Sequence, residues 1–520
     1  DGSGRPPFPG DIAVRKDRIS RIGRIGEMNA EVTIDAAGKV VAPGFIDIHS
    51  HTDLTIFHHP LAESKVLQGV TLDVIGNCGI GPFPVNPDRK GMLLDYLKTL
   101  EFLAPPEGLG WSDFTQYADR LNRLGLGTNL APLVAHGALR IAAMGSENRP
   151  PELEELNRME ETLEVLLAEG AWGMSTGLIY PPGSFARTEE LIVLARVLAR
   201  HGALYASHIR GESATLDQAL DEAILVGRKS GVRVEVSHLK AIGKAYWGKG
   251  RQALDRIMRA RAEGIDVGAD QYPYEATSTS LTALVPQWAQ EGGISELLGR
   301  LSSPDLRARL KEEIRLEMEI RGGPDRVRVA TVGSDRNRGL SGKNLSQIAQ
   351  ERQDPPEEIV IRLLLEEKAV ATAVYFSLSE EDVNAIMTSD QVAVGSDGSG
   401  LNASRVEGQA IHPRNYGTFA RVLGLYVRER GLLSLPAAIF KMTGLPARRL
   451  GLRNRGELRP GWAADLVVFD PDRVQDRSSF ESPHRYAAGI SHVFVNGQPV
   501  VRDGQLTGAT PGCVLRKTSI

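Results

Sequence analysis

Short runs rich in Val, Ile and Ala alternate along this chain with longer stretches whose apolar residues recur every three and four positions. The short runs read as buried strands and the longer ones as amphipathic helices, because side chains share a face at spacing two on a strand and at three to four on a helix. The expected strands are Gly44–His49, Val70–Gly76, Thr128–Ala135, Gly170–Thr176, Ala203–His208, Val232–His238, Ile265–Gln271 and Gln391–Asp397. Helical patterns fall between them, notably Glu152–Glu169, Thr188–His201, Ala214–Ser230 and Gly250–Ala262. Alternating strands and helices imply parallel strands joined by crossovers, and eight such units close into a (β/α)8 TIM-like barrel, an α/β fold.

Two departures from the alternation define the rest of the chain. Between the seventh and eighth strands, residues 285–378 are too many for one crossover and carry their own helical patterns at Ile294–Leu301, Pro304–Arg321 and Pro356–Glu367. An inserted subdomain over the site is the expected reading. At the ends, Asp11–Val14, Arg18–Ile25, Glu31–Asp35, Ala464–Phe469, Ile490–Val495 and Gln498–Arg502 are short and punctuated by turn residues. Both ends are therefore expected to pair into one small β-sandwich, with residues 1–42 and 451–520 flanking a barrel of residues 43–450.

Composition narrows the function classes. A length of 520 residues with 42% hydrophobic and 24% charged content is that of an ordinary globular protein. The net charge of −4 gives no footprint for nucleic acid. No apolar run approaches the ~18 residues that span a bilayer, so no membrane partner is expected. Cys78 and Cys513 are the only cysteines, which excludes a disulfide framework and fits a reducing compartment, so the cytoplasm is the expected location. The chain starts at Asp1 rather than Met, which leaves a removed leader open.

Candidate chemistry gathers at the C-terminal ends of the expected strands, where barrels of this kind place their sites. His49 and His51 stand two apart after the first strand in Pro43-Gly44-Phe45-Ile46-Asp47-Ile48-His49-Ser50-His51, so both imidazoles face one spot. Cys78 closes the second strand, His208 the fifth, His238 the sixth and Asp397 the eighth. Imidazoles, a thiolate and a carboxylate suit zinc better than magnesium or calcium, which prefer all-oxygen shells. A lone His is ordinarily a structural residue and a lone Cys a small buried hydrophobe, but six such groups at one end of five strands form a pattern. His58, His59, His201, His484 and His492 fall in loops, helices or the sandwich and read as structural; His136, after the third strand, divides evenly between supporting a ligand and a structural role.

These residues resemble the amidohydrolase superfamily. The resemblance rests on the Pro-Gly-Phe-Ile-Asp-x-His-x-His run, on His208, His238 and Asp397, and on the closing Gly456–Asp470 segment. Within that superfamily the chain is similar to the D-aminoacylases, the N-acyl-D-amino-acid deacylases, over nearly its whole length. The segments that carry the narrower match are Gly69–Ile80, Ser175–Pro182, Asp270–Tyr274 and His412–Phe419. The resemblance implies that Cys78 stands where many relatives carry a carboxylated lysine bridging two metals, and the expected fourth strand holds no lysine. It further implies one tight zinc on Cys78, His208 and His238, and a weaker second position among His49, His51 and Asp397. Tyr180, Lys240, Tyr274 and Arg414 would line the substrate site.

The expected reaction is hydrolysis of an N-acyl-D-amino acid to a carboxylate and a free amino acid. Zinc acidifies a water that it binds and polarises an amide carbonyl, and Asp397 is the natural carrier of the proton to the departing amine. Lys240 lies two residues beyond His238 and Arg414 beyond the eighth strand, where either could grip the substrate carboxylate. Neutralisation of loop carboxylates such as Glu407 is the bland reading of both cations, and rim packing is that of Tyr272 and Tyr274. The D configuration comes from the resemblance alone. Alternatives are a dipeptidase for C-terminal D-residues, a cyclic-amide hydrolase or deaminase, and a non-catalytic scaffold.

Overall fold

The computed structural model describes residues 1–26, 29–100 and 108–518. Eight parallel strands form the central barrel: β1 (Phe45–Asp47), β2 (Val70–Ile75), β3 (Asn129–Pro132 continued by Val134–Ala135), β4 (Gly173–Gly177), β5 (Leu204–His208), β6 (Arg233–Val236), β7 (Val267–Gln271) and β8 (Val392–Val394). All fall within the expected runs except that β4 ends one residue later, at Gly177. β3 is broken at Leu133, and its two parts serve different neighbours: Asn129–Pro132 pairs with β2 and Val134–Ala135 with β4. The ring closes where the Ser50–Gly398 bridge joins the ends of β1 and β8, with the Asp397 amide donating to the His49 carbonyl at 2.7 Å.

Alternation along the strands divides two cores. Leu72 and Val74 of β2, Leu204 and Ala206 of β5 and Ala393 of β8 cluster with Ile46 and Ile48, whereas Tyr205 belongs with the surrounding helices. Those helices, Leu153–Ala168, Thr188–Arg200, Leu216–Ser230 and Lys249–Ala262, match their expected ranges within two residues at each end. Leu163, Leu166 and Leu167 of the first of them and Leu191, Leu194 and Leu198 of the second are buried, as the three- and four-residue spacing requires.

Both chain ends meet in one antiparallel sheet of five strands, ordered Gln505–Leu506, Gln498–Arg502, Ile490–Val495, Leu466–Phe469 and Val40–Pro43. The hairpin Asp11–Arg15 with Arg18–Gly23 joins it through an Arg18–Ala463 bridge. Two expectations fail here. Glu31–Asp35 is not a strand, and all its residues but Ile34 are exposed, so the segment buries no face that pairing would protect. The last residues also leave the sheet: Leu126 bridges Pro511, Leu130 bridges Val514, and the Lys517 amide donates to Gly170, so this run lies along the barrel.

The insertion has its own core, in which Leu281, Leu310, Ile314, Val329, Leu364 and Tyr375 are buried together. It starts earlier than expected, at the strand Thr277–Ser280, which pairs with Ala371–Tyr375 and through it with Val327–Val332. Among the described residues, no helix is long and apolar enough to cross a membrane.

Candidate metal centre

The β-strands end as a ring of short turns, and the turns aim the ligands. Cys78, His238 and Asp397 all have left-handed backbone, with φ of 55°, 37° and 52°. Non-glycine residues hold that conformation only where surrounding structure enforces it, and such strain gathers at functional sites. The Cys78 turn lies directly against the end of β4, where a Cβ on Gly177 would overlap the Cys78 carbonyl. Glycine is required there by close approach alone.

All six expected ligands converge. The donor atoms of His49, His51, Cys78 and Asp397 lie within 4.8 Å of one another, as do those of Cys78, His208 and His238. Cys78 is common to both groups, with Sγ 3.3 Å from Nε2 of His49 and 3.3 Å from Nε2 of His238. Asp397 Oδ1 reaches His51 Nε2 at 3.0 Å and His49 Nε2 at 3.4 Å.

Neighbouring side chains hold the far sides of the His49 and His238 rings. His49 Nδ1 is 3.1 and 3.2 Å from the two oxygens of Asp270, the same carboxylate that accepts the His238 amide at 2.9 Å. His238 Nδ1 lies 2.7 Å from the Lys240 ammonium, which donates to it, and 3.3 Å from Glu212 Oε1, which also accepts from Lys240 at 2.5 Å, so Lys240 and Glu212 together fix this ring. His208 is buried with neither ring nitrogen hydrogen-bonded, Glu212 Oε2 standing 3.6 Å from Nε2. An orphaned buried imidazole beside a thiol and a second imidazole is what a zinc ligand set presents.

The electrostatics agree. Burial pushes the Cys78 thiol up, yet His49 and His238 hold it well below the ordinary thiol value, favouring thiolate. Burial opposes a charged His51, but Asp397 and Cys78 lift it to about 10. The pocket thus carries a negative potential that favours a cation. Burial would also raise Asp397, but Arg414, His49 and His51 keep it well below the carboxylate range.

The expected substrate contacts divide. Tyr180, Lys240 and Arg414 line the cavity above the ligands; Tyr274 does not, and Tyr272 does. After Gln271 the chain turns, with the Tyr274 amide donating to the Tyr272 carbonyl at 3.0 Å, so the two rings do not share a face as they would on a strand. Tyr274 packs behind His412 with ring centroids 5.1 Å apart. Lys240 is held by Glu212 Oε1 at 2.5 Å, and not by Glu407. Arg414 donates to Asp397 Oδ2 at 2.7 Å and to the Ser278 carbonyl at 3.1 Å, so it orients that carboxylate as well as facing the cavity. Tyr180 shares a hydrogen bond with Thr279 of the insertion at 2.8 Å.

His136 lies outside both ligand groups, bonded to Glu190 at 2.8 Å. His201 pairs with Glu164 at 2.7 Å, His484 donates to the Gln409 carbonyl at 2.6 Å, and His58, His59 and His492 are also outside the two groups. Sequence reasoning missed Asp270 and Glu212, although Asp270 stands at the end of β7 where a carboxylate is a signal in itself. It also missed Lys65, wholly buried, which joins Asp47 at 2.6 Å, Ser396 at 2.8 Å and the Gly398 carbonyl at 3.0 Å and so clamps β1 to β8 behind the ligands.

Residues 32–501 match the model of an amidohydrolase family. A D-aminoacylase from Alcaligenes xylosoxydans xylosoxydans is 38% identical, with 100% of this chain and 96% of that protein aligned. The structure of an N-acyl-D-glutamate deacylase from Bordetella bronchiseptica, complexed with zinc and a phosphonate mimic of the tetrahedral intermediate, superposes with a TM-score of 0.84 at 36% identity, covering 99% and 97% of the two chains. A D-aminoacylase structure concerned with a binuclear metal centre, its one-metal activation and second-metal attenuation, also gives 0.84 at 36% identity, covering 99% and 98%. With a family model spanning most of its length and relatives aligned end to end, the chain belongs to the amidohydrolase family.

Proposed function

We propose that this protein is a zinc-dependent amidohydrolase that cleaves the amide bond of N-acyl-D-amino acids, releasing a carboxylate and a free D-amino acid. The observation that carries this reading is the convergence of Cys78 with His208 and His238 on one side and with His49, His51 and Asp397 on the other, in a chain 38% identical to a D-aminoacylase over its full length. Cys78, His208 and His238 would hold the tight zinc; His49, His51 and Asp397 would hold a second, weaker one. Zinc, when bound, polarises the amide carbonyl and acidifies water.

The remaining work falls to the chain. Asp397 starts ionised, held so by Arg414, and its carboxylate accepts the proton of the attacking water. The same proton passes to the departing nitrogen, because an amine is not expelled unprotonated. Arg414 and Lys240, with Tyr180 and Tyr272 beside them, supply the cationic end of the cavity for the substrate carboxylate. Linear amides bearing a free carboxylate use both cations; a cyclic amide does not.

Zinc-loaded protein assayed with N-acetyl-D- and N-acetyl-L-amino acids, D-terminal dipeptides and hydantoins is expected to turn over the N-acyl-D series. Turnover confined to L-substrates or to ring amides would overturn the reading. Asp397→Asn should lower kcat about 10²–10⁴-fold with the Cys78 zinc retained, and near-normal turnover would remove Asp397 from its role.

A further inference from the structure

At the end of the barrel away from the ligands a cleft opens where β4, β5 and β6 begin. Its walls carry five cations, Arg233, Arg453, Arg455, Arg516 and Lys517, and no Asp or Glu is among the residues that line it. In a chain of net charge −4 this is a local concentration of positive charge. Three of the five are answered from behind: Arg233 by Asp266 at 2.9 Å, Arg516 by Asp119 at 3.3 Å, and Arg455 by Asp465. Among the described residues, Arg453 and Lys517 have no carboxylate partner.

The Arg233 and Lys517 heads both lie beside Gly451, and Arg233 Nη1 also donates to the Arg449 carbonyl at 2.9 Å. Gly451 has a φ of 78°, and a Cβ there would lie 3.6 Å from Arg233 Nη1 and 3.8 Å from Lys517 Nζ. Lys517 Nζ stands 5.7 Å from the centre of the Trp172 ring, and the Leu515 carbonyl accepts from the Trp172 indole at 2.8 Å, so the C-terminal run is anchored at this wall. Burial, together with the charges of Arg233 and Arg453, lowers the Lys517 pKa, as like charges held close to one another do. Two cations without carboxylate partners, with Arg233 beside them, match a dianion with several acceptor oxygens, the chemistry of a phosphate group.

We propose that this cleft is a binding site for a phosphate-bearing small anion, the phosphate seated between Arg233, Arg453 and Lys517. The site is independent of the metal centre, since Arg233 begins the strand whose opposite end leads to His238. Calorimetric titration of the zinc-loaded protein with inorganic phosphate and, separately, with AMP tests it, the two probes separating free phosphate from a phosphate ester. Saturable binding of either probe is expected, weakened at least tenfold in the Arg453→Gln/Lys517→Gln double variant while kcat/KM for amide hydrolysis stays unchanged. Lys517→Glu alone should weaken it further than Lys517→Gln. The proposal is overturned if neither probe gives saturable binding, or if the double variant binds as tightly as the wild type, which would place the anion at the metal centre.

Discussion

Replacing Asp270 by Asn tests whether the metal centre depends on the carboxylate behind it. In the wild type one Asp270 oxygen accepts the His238 amide at 2.9 Å, and both oxygens lie 3.1–3.2 Å from His49 Nδ1. Asn keeps the volume and the oxygen facing His238, but an NH2 replaces the second oxygen and points at the same His49 N–H. Donor meets donor, and the negative charge that strengthens His49 as a ligand is gone. Losses of this kind cost about 10–100-fold in metal affinity, or ~1.4–2.7 kcal/mol. Zinc competition against a chromophoric chelator, with metal stoichiometry measured alongside, should show the position bounded by His49, His51 and Asp397 weakened by that factor. The Cys78, His208 and His238 position should be affected less, because the Asn oxygen still receives the His238 amide. Zinc affinities within twofold of wild type at both positions would refute the reasoning.

Lys65→Met should destabilise the fold by about 3–5 kcal/mol, because it leaves Asp47 and the nearby Asp73 as buried carboxylates without their cation; an unchanged denaturation midpoint would contradict this. Arg414→Met should raise KM chiefly for substrates with a free carboxylate and move the acidic limb of the kcat profile to higher pH, since Arg414 is the main charge holding Asp397 low; equal losses on esterified substrates would remove Arg414 from substrate binding. Lys441 is buried against the carbonyls of Ser389 and Val392, and burial pushes it down to about 7. Its folded pKa lies below the unfolded value of roughly 10.4, so the unfolded chain binds more protons between them and stability should rise with pH across that window. The slope should flatten in Lys441→Met, and an identical slope in both proteins would count against it.

What the sequence revealed follows from what leaves a local trace. Buried parallel strands are short apolar runs, so all eight barrel strands were visible, and candidate ligands at strand ends stand out as polar residues closing apolar ones, as His208 and His238 do. The partners of those ligands leave no such trace. Lys65 sits in a four-residue helix with no apolar period, and only the folded ring brings it to Asp47 and Ser396. Glu212 lies in a loop after β5 and meets His238 from the next strand. The insertion strand Thr277–Ser280 is made of Thr and Ser alone, which reads as a loop until Ala371–Tyr375 pairs with it. Tyr274 was expected in the substrate site by resemblance alone, and the turn after Gln271, which gives Tyr272 that place, leaves no mark in the residue pattern.

The most direct test is anomalous diffraction at the zinc edge from crystals of the zinc-loaded protein. The account predicts a dominant peak about 2.3 Å from Cys78 Sγ and about 2.0–2.1 Å from one ring nitrogen each of His208 and His238. A peak bonded elsewhere, or none within coordinating distance of Cys78, would contradict it.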